Sequence, residues 1–210
     1  MSPLREQQLV QAYQSGDPAA LGELLSAYQR RVYAVCARMV RARGEAADLT
    51  QDALVKIIEG LNGYDGRAAV STWIIRVTIN CCLSHLRREQ IRRHGSLDEP
   101  VGPGGGTRGR GLSSAELSPA AHVEQAERQA VLLRALTEVE PPMRAVLVLR
   151  DLQDLDYQQI AEVLSVPVGT VKSRLFRARA ALRRVVERTM ETGAGSGPEG
   201  ADREGVDADG

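Results

Sequence analysis

Hydrophobic residues in the first part of the chain recur at the three- and four-residue spacing of amphipathic helices. Asp17 and Pro18 supply an N-cap residue and a first-turn proline, and the apolar positions of 21–39 then follow one helical face. A break at Arg43-Gly44 precedes a second predicted helix over 46–61. The spacing therefore predicts two long helices in succession.

Glycines at positions 60, 63 and 66 predict a loop after the second helix. Ser71-Thr72 then lead into a third long helix, which ends in a basic cluster at 85–93. No stretch shows the two-residue alternation of a strand. Residues 5–94 are accordingly predicted to form an all-α domain.

The composition changes abruptly at residue 95. Residues 95–119 are dominated by Gly, Pro, Ser and Arg, which cannot bury a core, and they predict a flexible Gly/Pro-rich linker that could span at most about 100 Å. Helical spacing resumes over 120–188, which predicts a second small helical domain. The Gly-rich, acidic residues 189–210 are predicted to be a disordered tail.

The second domain contains the most informative motif of the chain. The amphipathic segment DYQQIAEVL is followed by the break Ser165-Val166-Pro167 and by PVGTVKSRLFRARAALRR, which has no acidic residue between Glu162 and Glu187. Apolar residues of both segments are spaced to pack one helix on the other, which leaves the basic side chains outward. This is the layout of a helix-turn-helix whose second helix enters the DNA major groove. A solvated basic helix in an ordinary α-domain is the alternative, but such a helix normally includes acidic residues.

The formal net charge of zero conceals a division along the chain. Residues 1–95 hold 13 basic and 9 acidic residues, and residues 125–190 hold 11 and 8, so both predicted domains are basic. The linker region 96–124 holds 2 basic and 4 acidic residues, and the tail 191–210 holds 1 basic and 6 acidic residues. Two basic bodies and an acidic tail are typical of a protein that binds nucleic acid.

Several other classes of protein are disfavoured. Cys36, Cys81 and Cys82 have neither the spacing of a zinc site nor that of a disulfide framework, and no metal or cofactor is predicted. The three histidines, at 85, 94 and 122, are not paired with carboxylates in a ligand or base motif, which disfavours an enzyme. No membrane-spanning run or secretory signal is visible, so we expect no membrane insertion and a cytoplasmic location.

A helical wheel of the second helix separates an apolar face from an acidic one. With about 100° per residue, Asp48, Asp52 and Glu59 fall within a narrow arc, and Gln51 flanks it. Solvated carboxylates near a helix N-terminus would explain such an arc without a function. In a domain that ends in a basic cluster, however, the arc suggests a protein partner that binds away from nucleic acid.

Three segments together resemble a known family. DLTQDALVKI, GYDGRAAVSTWIIRVTINCCLSHLRR and LDYQQIAEVLSVPVGTVKSRLFRARAALRR are similar to regions two and four of the bacterial sigma-70 superfamily, in particular its extracytoplasmic-function (ECF) group. The resemblance covers roughly residues 5–94 and 120–188. One departure is Ser165, at a turn position that relatives often fill with glycine, where a left-handed backbone would be mildly strained.

The resemblance implies roles for the first domain. The D-L-T-Q-D segment of the family docks on the clamp helices of the largest polymerase subunit, which implies that Asp48, Gln51 and Asp52 bind core RNA polymerase. The following loop and helix of the family melt the minus-ten element and hold a flipped base. The residues implied in this role are Tyr64, Trp73, Arg76, Val77 and Asn80. Aromatic rings can stack on bases, Asn can read a polar base edge and Arg can follow the backbone, although Trp73 could equally be a core anchor.

For the second domain, the resemblance implies that the recognition helix reads the minus-thirty-five element. Arg can form a fork on guanine, Ser can bond a base edge or phosphate, and an exposed Phe can contact a thymine methyl. The residues implied are Lys172, Ser173, Phe176 and Arg177 for the element itself, with Arg174 and Arg179 for phosphates. Burial of Phe176 in the core is the structural alternative.

The function implied is that of a promoter-specificity subunit, without enzymatic activity of its own. Its expected partners are core RNA polymerase, promoter DNA and a cognate anti-sigma protein that clamps two otherwise loosely coupled domains. Two alternatives remain at this point. One is a stand-alone helix-turn-helix transcriptional regulator, for which the acidic arc would be incidental, and the other is an enzyme that acts on nucleic acid.

Overall fold

The computed structural model describes the backbone of residues 1–95 and 130–194, and the side chains of 1–93 and 130–188. All regular structure in these ranges is helical, which confirms the all-α prediction. The helices are α1 Pro3–Gln14, α2 Pro18–Met39, α3 Arg43–Leu61, α4 Val70–Gly95, α5 (residues 130–138), α6 Pro141–Leu147, a π-helix Val148–Leu152, α7 Tyr157–Leu164 and α8 Val168–Ala194.

The helix starts follow from local sequence, with one correction. The Asp17 carboxylate accepts a 2.9 Å hydrogen bond from the Ala19 amide, as expected of the N-cap of α2. The break predicted at Arg43-Gly44 is wrong, because both residues lie in the first turn of α3. The chain breaks instead just before, where Val40 and Ala42 are extended. The penalty for glycine is entropic and applies chiefly in a helix interior, so a glycine is tolerated in the first turn.

The second domain begins, in its described part, with α5. The π-helix joins α6 to the turn before α7, and Asp156 caps α7 through a capping box with Gln159. Ser165 then adopts the left-handed conformation expected of it, with φ 53° and ψ 47°, and turns the chain into α8. The helix-turn-helix is therefore present.

The ends of the predicted linker and tail differ slightly from expectation. Gly95, predicted to begin the linker, is the last residue of α4. α8 continues to Ala194, so the first six residues of the predicted disordered tail are helical. Residues 96–129 and 195–210, which hold the rest of both segments, lie outside the described ranges.

The two helical bodies share one hydrophobic core. Helix α4, at the centre, packs against α2 and α3 of the first body and also against α6 and α7 of the second. Buried residues of α2 and α4, such as Met39 and Ile79, belong to the same cluster as Ile160 of α7 and Val171 of α8. The expectation of loosely coupled domains is therefore wrong for this arrangement of the free chain. Within the described ranges, no helix is long and apolar enough to cross a bilayer.

Candidate polymerase and nucleic-acid interfaces

One face of α3 is buried and the opposite face is acidic. Leu49, Ala53, Ile57 and Leu61 are buried, and their burial fixes which face of α3 meets the core. The Thr50 hydroxyl donates to the Ala46 carbonyl of the same helix at 2.7 Å. The opposite residues are exposed and follow the i, i+4, i+7, i+11 spacing of one helical stripe. We call Asp48, Gln51, Asp52, Val55 and Glu59 the α3 stripe.

Val55 is the member of the α3 stripe that sequence analysis missed. Its side chain is 52% exposed, although it is apolar and lies between Asp52 and Glu59 of the acidic arc. An apolar side chain inside a charged rim is the usual composition of a protein interface. The helical wheel contained this signal, because Val55 is seven residues from Asp48 and so shares its face.

Two predicted DNA contacts meet where the loop after α3 packs on the start of α4. The Tyr64 and Trp73 rings meet edge to face, with centroids 5.5 Å apart and an angle of 62° between their planes. The Tyr64 hydroxyl donates to the Ala68 carbonyl, and the Gln14 amide donates to the carbonyls of Leu61 and Tyr64 at 2.9 and 3.1 Å. Both rings are half-buried against the core. Burial raises the pKa of Tyr64, so the phenol is neutral.

Four predicted residues share one stripe of α4. Trp73, Arg76, Val77 and Asn80 are spaced i, i+3, i+4 and i+7, so they lie on the same side of the helix. Asn80 is exposed, whereas Arg76 and Val77 are half-buried. The Arg76 Nε is buried and has no hydrogen-bond partner among the described residues. The stripe continues into the exposed Arg87, which the sequence placed in the basic cluster without a role.

The outer face of α8 carries the residues predicted to read the upstream element. Val171, Leu175 and Ala178 are buried where α8 packs on α6 and α7, and the side chains opposite them are exposed. Phe176 is 78% exposed, so it is a surface residue and the alternative of burial is wrong. We call Lys172, Ser173, Phe176, Arg177 and Arg179 the α8 face.

Contacts within the protein already orient part of the α8 face. The Ser173 hydroxyl donates to the Thr170 carbonyl at 3.0 Å, and Lys172 lies over the Tyr157 ring at 6.0 Å. Arg179 forms a 2.9 Å ion pair with Asp151 that is half-exposed on both sides. Arg174 is half-buried on the flank of the helix. The ion pair uses Nη2 of Arg179, and the other guanidinium donors can contact a phosphate while Asp151 holds the side chain in place.

A histidine that sequence analysis left unpaired has a carboxylate partner in three dimensions. His85 Nε2 lies 2.8 Å from Glu45 Oε1, and Glu89 lies close enough for the three groups to hold a metal ion. The statement that no histidine is paired with a carboxylate is thus wrong for His85. Glu89 also accepts from Arg93 at 3.2 Å, so each member of the cluster has a protein partner. These contacts account for the cluster without an ion.

Comparisons with known proteins agree with this architecture. The family profile for Sigma-70 region 2 matches residues 24–92, and the profile for Sigma-70, region 4 matches residues 127–182. The RNA polymerase sigma-H factor of Pseudomonas aeruginosa is 32% identical over 183 residues, which are 87% of this chain and 94% of that protein. The ECF RNA polymerase sigma-E factor of Escherichia coli K12 is 31% identical over 184 residues, which are 88% of this chain and 95% of that protein.

Solved structures give the same fold. The structure of CnrH in complex with the cytosolic domain of CnrY matches with a TM-score of 0.59 at 20% identity and covers 88% of this chain and 98% of that one. The structure of the sigma factor RpoE in complex with the anti-sigma factor NepR from Bartonella quintana matches with a TM-score of 0.58 at 20% identity. The match covers 79% of this chain and 96% of that one. A stand-alone helix-turn-helix regulator would account only for the match at 127–182. The chain therefore belongs to the extracytoplasmic-function group of the sigma-70 family, the promoter-specificity subunits of RNA polymerase.

Proposed function

We propose that the α3 stripe binds core RNA polymerase while the α4 stripe and the α8 face contact the two promoter elements. The observation that carries this proposal is the separation of charge on one scaffold. The α3 stripe holds three exposed carboxylates around Val55, whereas the α8 face holds exposed cations around Phe176. The acidic surface repels DNA and suits a basic protein partner, and the basic surface suits DNA.

The decisive experiment reverses charge on the α3 stripe. Asp48→Arg with Asp52→Arg changes two exposed side chains and leaves the buried face of α3 intact. We expect the protein to fold and its affinity for core polymerase to fall at least tenfold, about 1.4 kcal/mol. The isosteric pair Asp48→Asn and Asp52→Asn removes charge without reversing it, so its loss should be smaller. Undiminished core binding by the folded reversal variant would refute the assignment.

The α4 stripe is proposed to capture the melted strand. Asn80 is exposed on it, so its amide can meet a base edge, and Trp73 and Tyr64 supply an aromatic wall at its start. Asn80→Ala should leave binding to the upstream element intact and impair opening. Permanganate footprints of holoenzyme on a linear duplex promoter measure this. Normal melting by Asn80→Ala would contradict the strand-capture role.

Two further aspects are part of the proposal. An anti-sigma protein is proposed as a third partner, because a solved sigma factor of the same fold, RpoE, is described in complex with the anti-sigma factor NepR. The chain is also proposed to have no enzymatic activity of its own. The family consists of DNA-binding initiation factors, and the described carboxylates of the α3 stripe are exposed rather than set in a catalytic cleft.

A further inference from the structure

We propose that Gln14 of α1 is a positioning residue for strand capture, because its side chain holds the loop between α3 and α4 in the shape that places Tyr64 against Trp73. This inference rests on the proposed role of the α4 stripe. We call residues 62–69 the capture loop. Helix α1 lies outside the region 2 match, which begins at residue 24. None of the roles implied by the family resemblance falls on this helix.

The side-chain amide of Gln14 bonds to the end of α3 and to the capture loop at once. Its Nε2 donates to the Leu61 carbonyl at 2.9 Å and to the Tyr64 carbonyl at 3.1 Å. Leu61 is the last residue of α3, and the last carbonyls of a helix have no intrahelical partner. The two hydrogens of a glutamine amide match these two acceptors. Gln14 thus fixes the backbone of Tyr64 relative to the end of α3.

Tyr64 is held at three points, of which the bond from Gln14 to its carbonyl is one. Its hydroxyl donates to the Ala68 carbonyl, near the far end of the capture loop. Its ring meets the Trp73 ring edge to face, with the centroids 5.5 Å apart. Loss of the Gln14 bonds therefore releases one of the three contacts that set where the aromatic pair lies at the start of the α4 stripe.

A groove, rather than packed side chains, lies between part of α1 and the capture loop. It has a volume of about 280 Å³, and its lining includes Gln7 and Gln11 of α1 and Asp65 and Gly66 of the loop. Within the described ranges, no other residue outside α3, α4 and the loop itself hydrogen-bonds the loop. The bonds of Gln14 are therefore the polar connection between α1 and the capture loop.

Helix α1 is itself anchored without the capture loop. Leu9 and Val10 are buried in the core. Arg5 forms a fork with Glu23 of α2, with Nε and Nη2 at 3.0 and 2.6 Å from the two carboxylate oxygens. A side chain can position a site only if its own support is rigid. Gln14, at the C-terminal end of α1, therefore acts from a fixed helix.

A fixed capture loop favours binding of a melted strand. A loop that is already ordered in its binding shape loses little conformational entropy when the strand binds. Without the Gln14 bonds the loop can adopt other shapes, and the apparent affinity falls with the fraction of molecules that keep the competent one. The α3 stripe and the α8 face have no contact with Gln14, so binding of core polymerase and of the upstream element should not change.

The test compares three variants of the full chain in holoenzyme. Gln14→Met keeps the length of the side chain and removes both amide donors. Gln8→Met makes the same change at another exposed position of α1 and is the matched control. Asn80→Ala reports on strand capture by α4. The probe is a fluorescent single-stranded oligonucleotide that carries the non-template minus-ten sequence of a promoter transcribed by the reconstituted holoenzyme, and anisotropy gives its Kd.

Gln14→Met should raise the Kd of the oligonucleotide about five- to tenfold, and Gln8→Met should leave it unchanged. The affinities for core polymerase and for the upstream duplex should stay the same in both variants, with circular dichroism to verify folding. Trp73 is the only tryptophan of the chain and Tyr64 lies against it, so its emission in the free chain should change only in Gln14→Met. A merely structural role would instead lower all three affinities together.

The outcomes separate this proposal from the proposed function. An unchanged Kd in Gln14→Met with a raised Kd in Asn80→Ala would overturn the positioning role and leave strand capture by α4 intact. An unchanged Kd in both would refute strand capture by the α4 stripe and the positioning role with it. A raised Kd in Gln14→Met alone would support the positioning role and move the strand contact from Asn80 to the capture loop. Equal effects of Gln14→Met and Gln8→Met would also overturn the proposal.

Discussion

Gly60→Ala should displace the only tryptophan of the chain and uncouple strand opening from core binding. A Cβ built on Gly60 would lie 3.0 Å from Trp73 Cζ2 and 3.4 Å from Cη2, against an optimal carbon–carbon separation of about 3.5–4.0 Å. The indole must therefore move by several tenths of an ångström. Such overpacking costs about 1–3 kcal/mol, whereas replacing glycine by alanine in a helix gains up to about 1 kcal/mol.

Gly22→Ala is the matched control, because Gly22 lies within α2 and a Cβ there meets nothing within 4 Å. Gly22→Ala should gain only the stability that comes from the higher helix propensity of alanine. We therefore expect Gly60→Ala to be about 1–3 kcal/mol less stable than Gly22→Ala. Urea unfolding followed by circular dichroism measures this difference. Trp73 emission should change only in Gly60→Ala, and holoenzyme with that variant should melt promoters poorly. Equal stabilisation by both variants with unchanged emission would refute the reasoning.

Other expectations follow from the same contacts. Arg177→Ala should lose about 1–3 kcal/mol of binding free energy at one base pair of the upstream element, which a series of promoter variants would show as a relaxed preference at that position. An equal loss on every sequence would indicate a phosphate contact instead. Val55→Asp should weaken core binding without loss of stability, as tested by pull-down and denaturation. Asp156→Ala removes the capping box of α7 and should cost about 1 kcal/mol in urea unfolding. Burial, with a hydrogen bond to Glu6, raises the pKa of Tyr28. The phenol of the unfolded chain therefore ionises first, near pH 10. The contribution of Tyr28 to the free energy of unfolding should be constant below that pH and fall above it, and Tyr28→Phe should lessen the fall in urea unfolding.

Local chemistry made much of the fold predictable. The cap at Asp17, the capping box at Asp156 and the left-handed turn at Ser165 each depend on a few neighbouring residues. Sequence analysis missed the first turn of α3 because glycine is a poor helix former in the interior of a helix. Gly44 lies instead in the first turn, whose amides have no intrahelical partners.

The contacts that sequence reasoning missed are those between distant segments. Arg144 and Met39 are 105 residues apart, and His85 and Glu45 are 40 apart. No periodicity relates such pairs, since it reports which face of a helix is apolar but not which partner covers it. The predicted site residues on α4 share a face because of their spacing along one helix. The half-burial of Trp73, Arg76 and Val77 depends instead on packing between helices, which the spacing does not report.

Arg144 joins the two bodies through neutral carbonyl oxygens. No carboxylate hydrogen-bonds to its buried guanidinium in the described part of the chain, and only the charge of Glu45 favours the charged form against desolvation. Burial, with repulsion from Arg41, lowers its pKa to about 10, which marks the charged form as destabilised in this position. A buried pair with a carboxylate would be costly to break, because opening would leave a charge uncompensated. The Arg144 guanidinium instead binds carbonyls alone, and the carbonyl of Met39, at the end of α2, is one that the helix itself leaves without a partner.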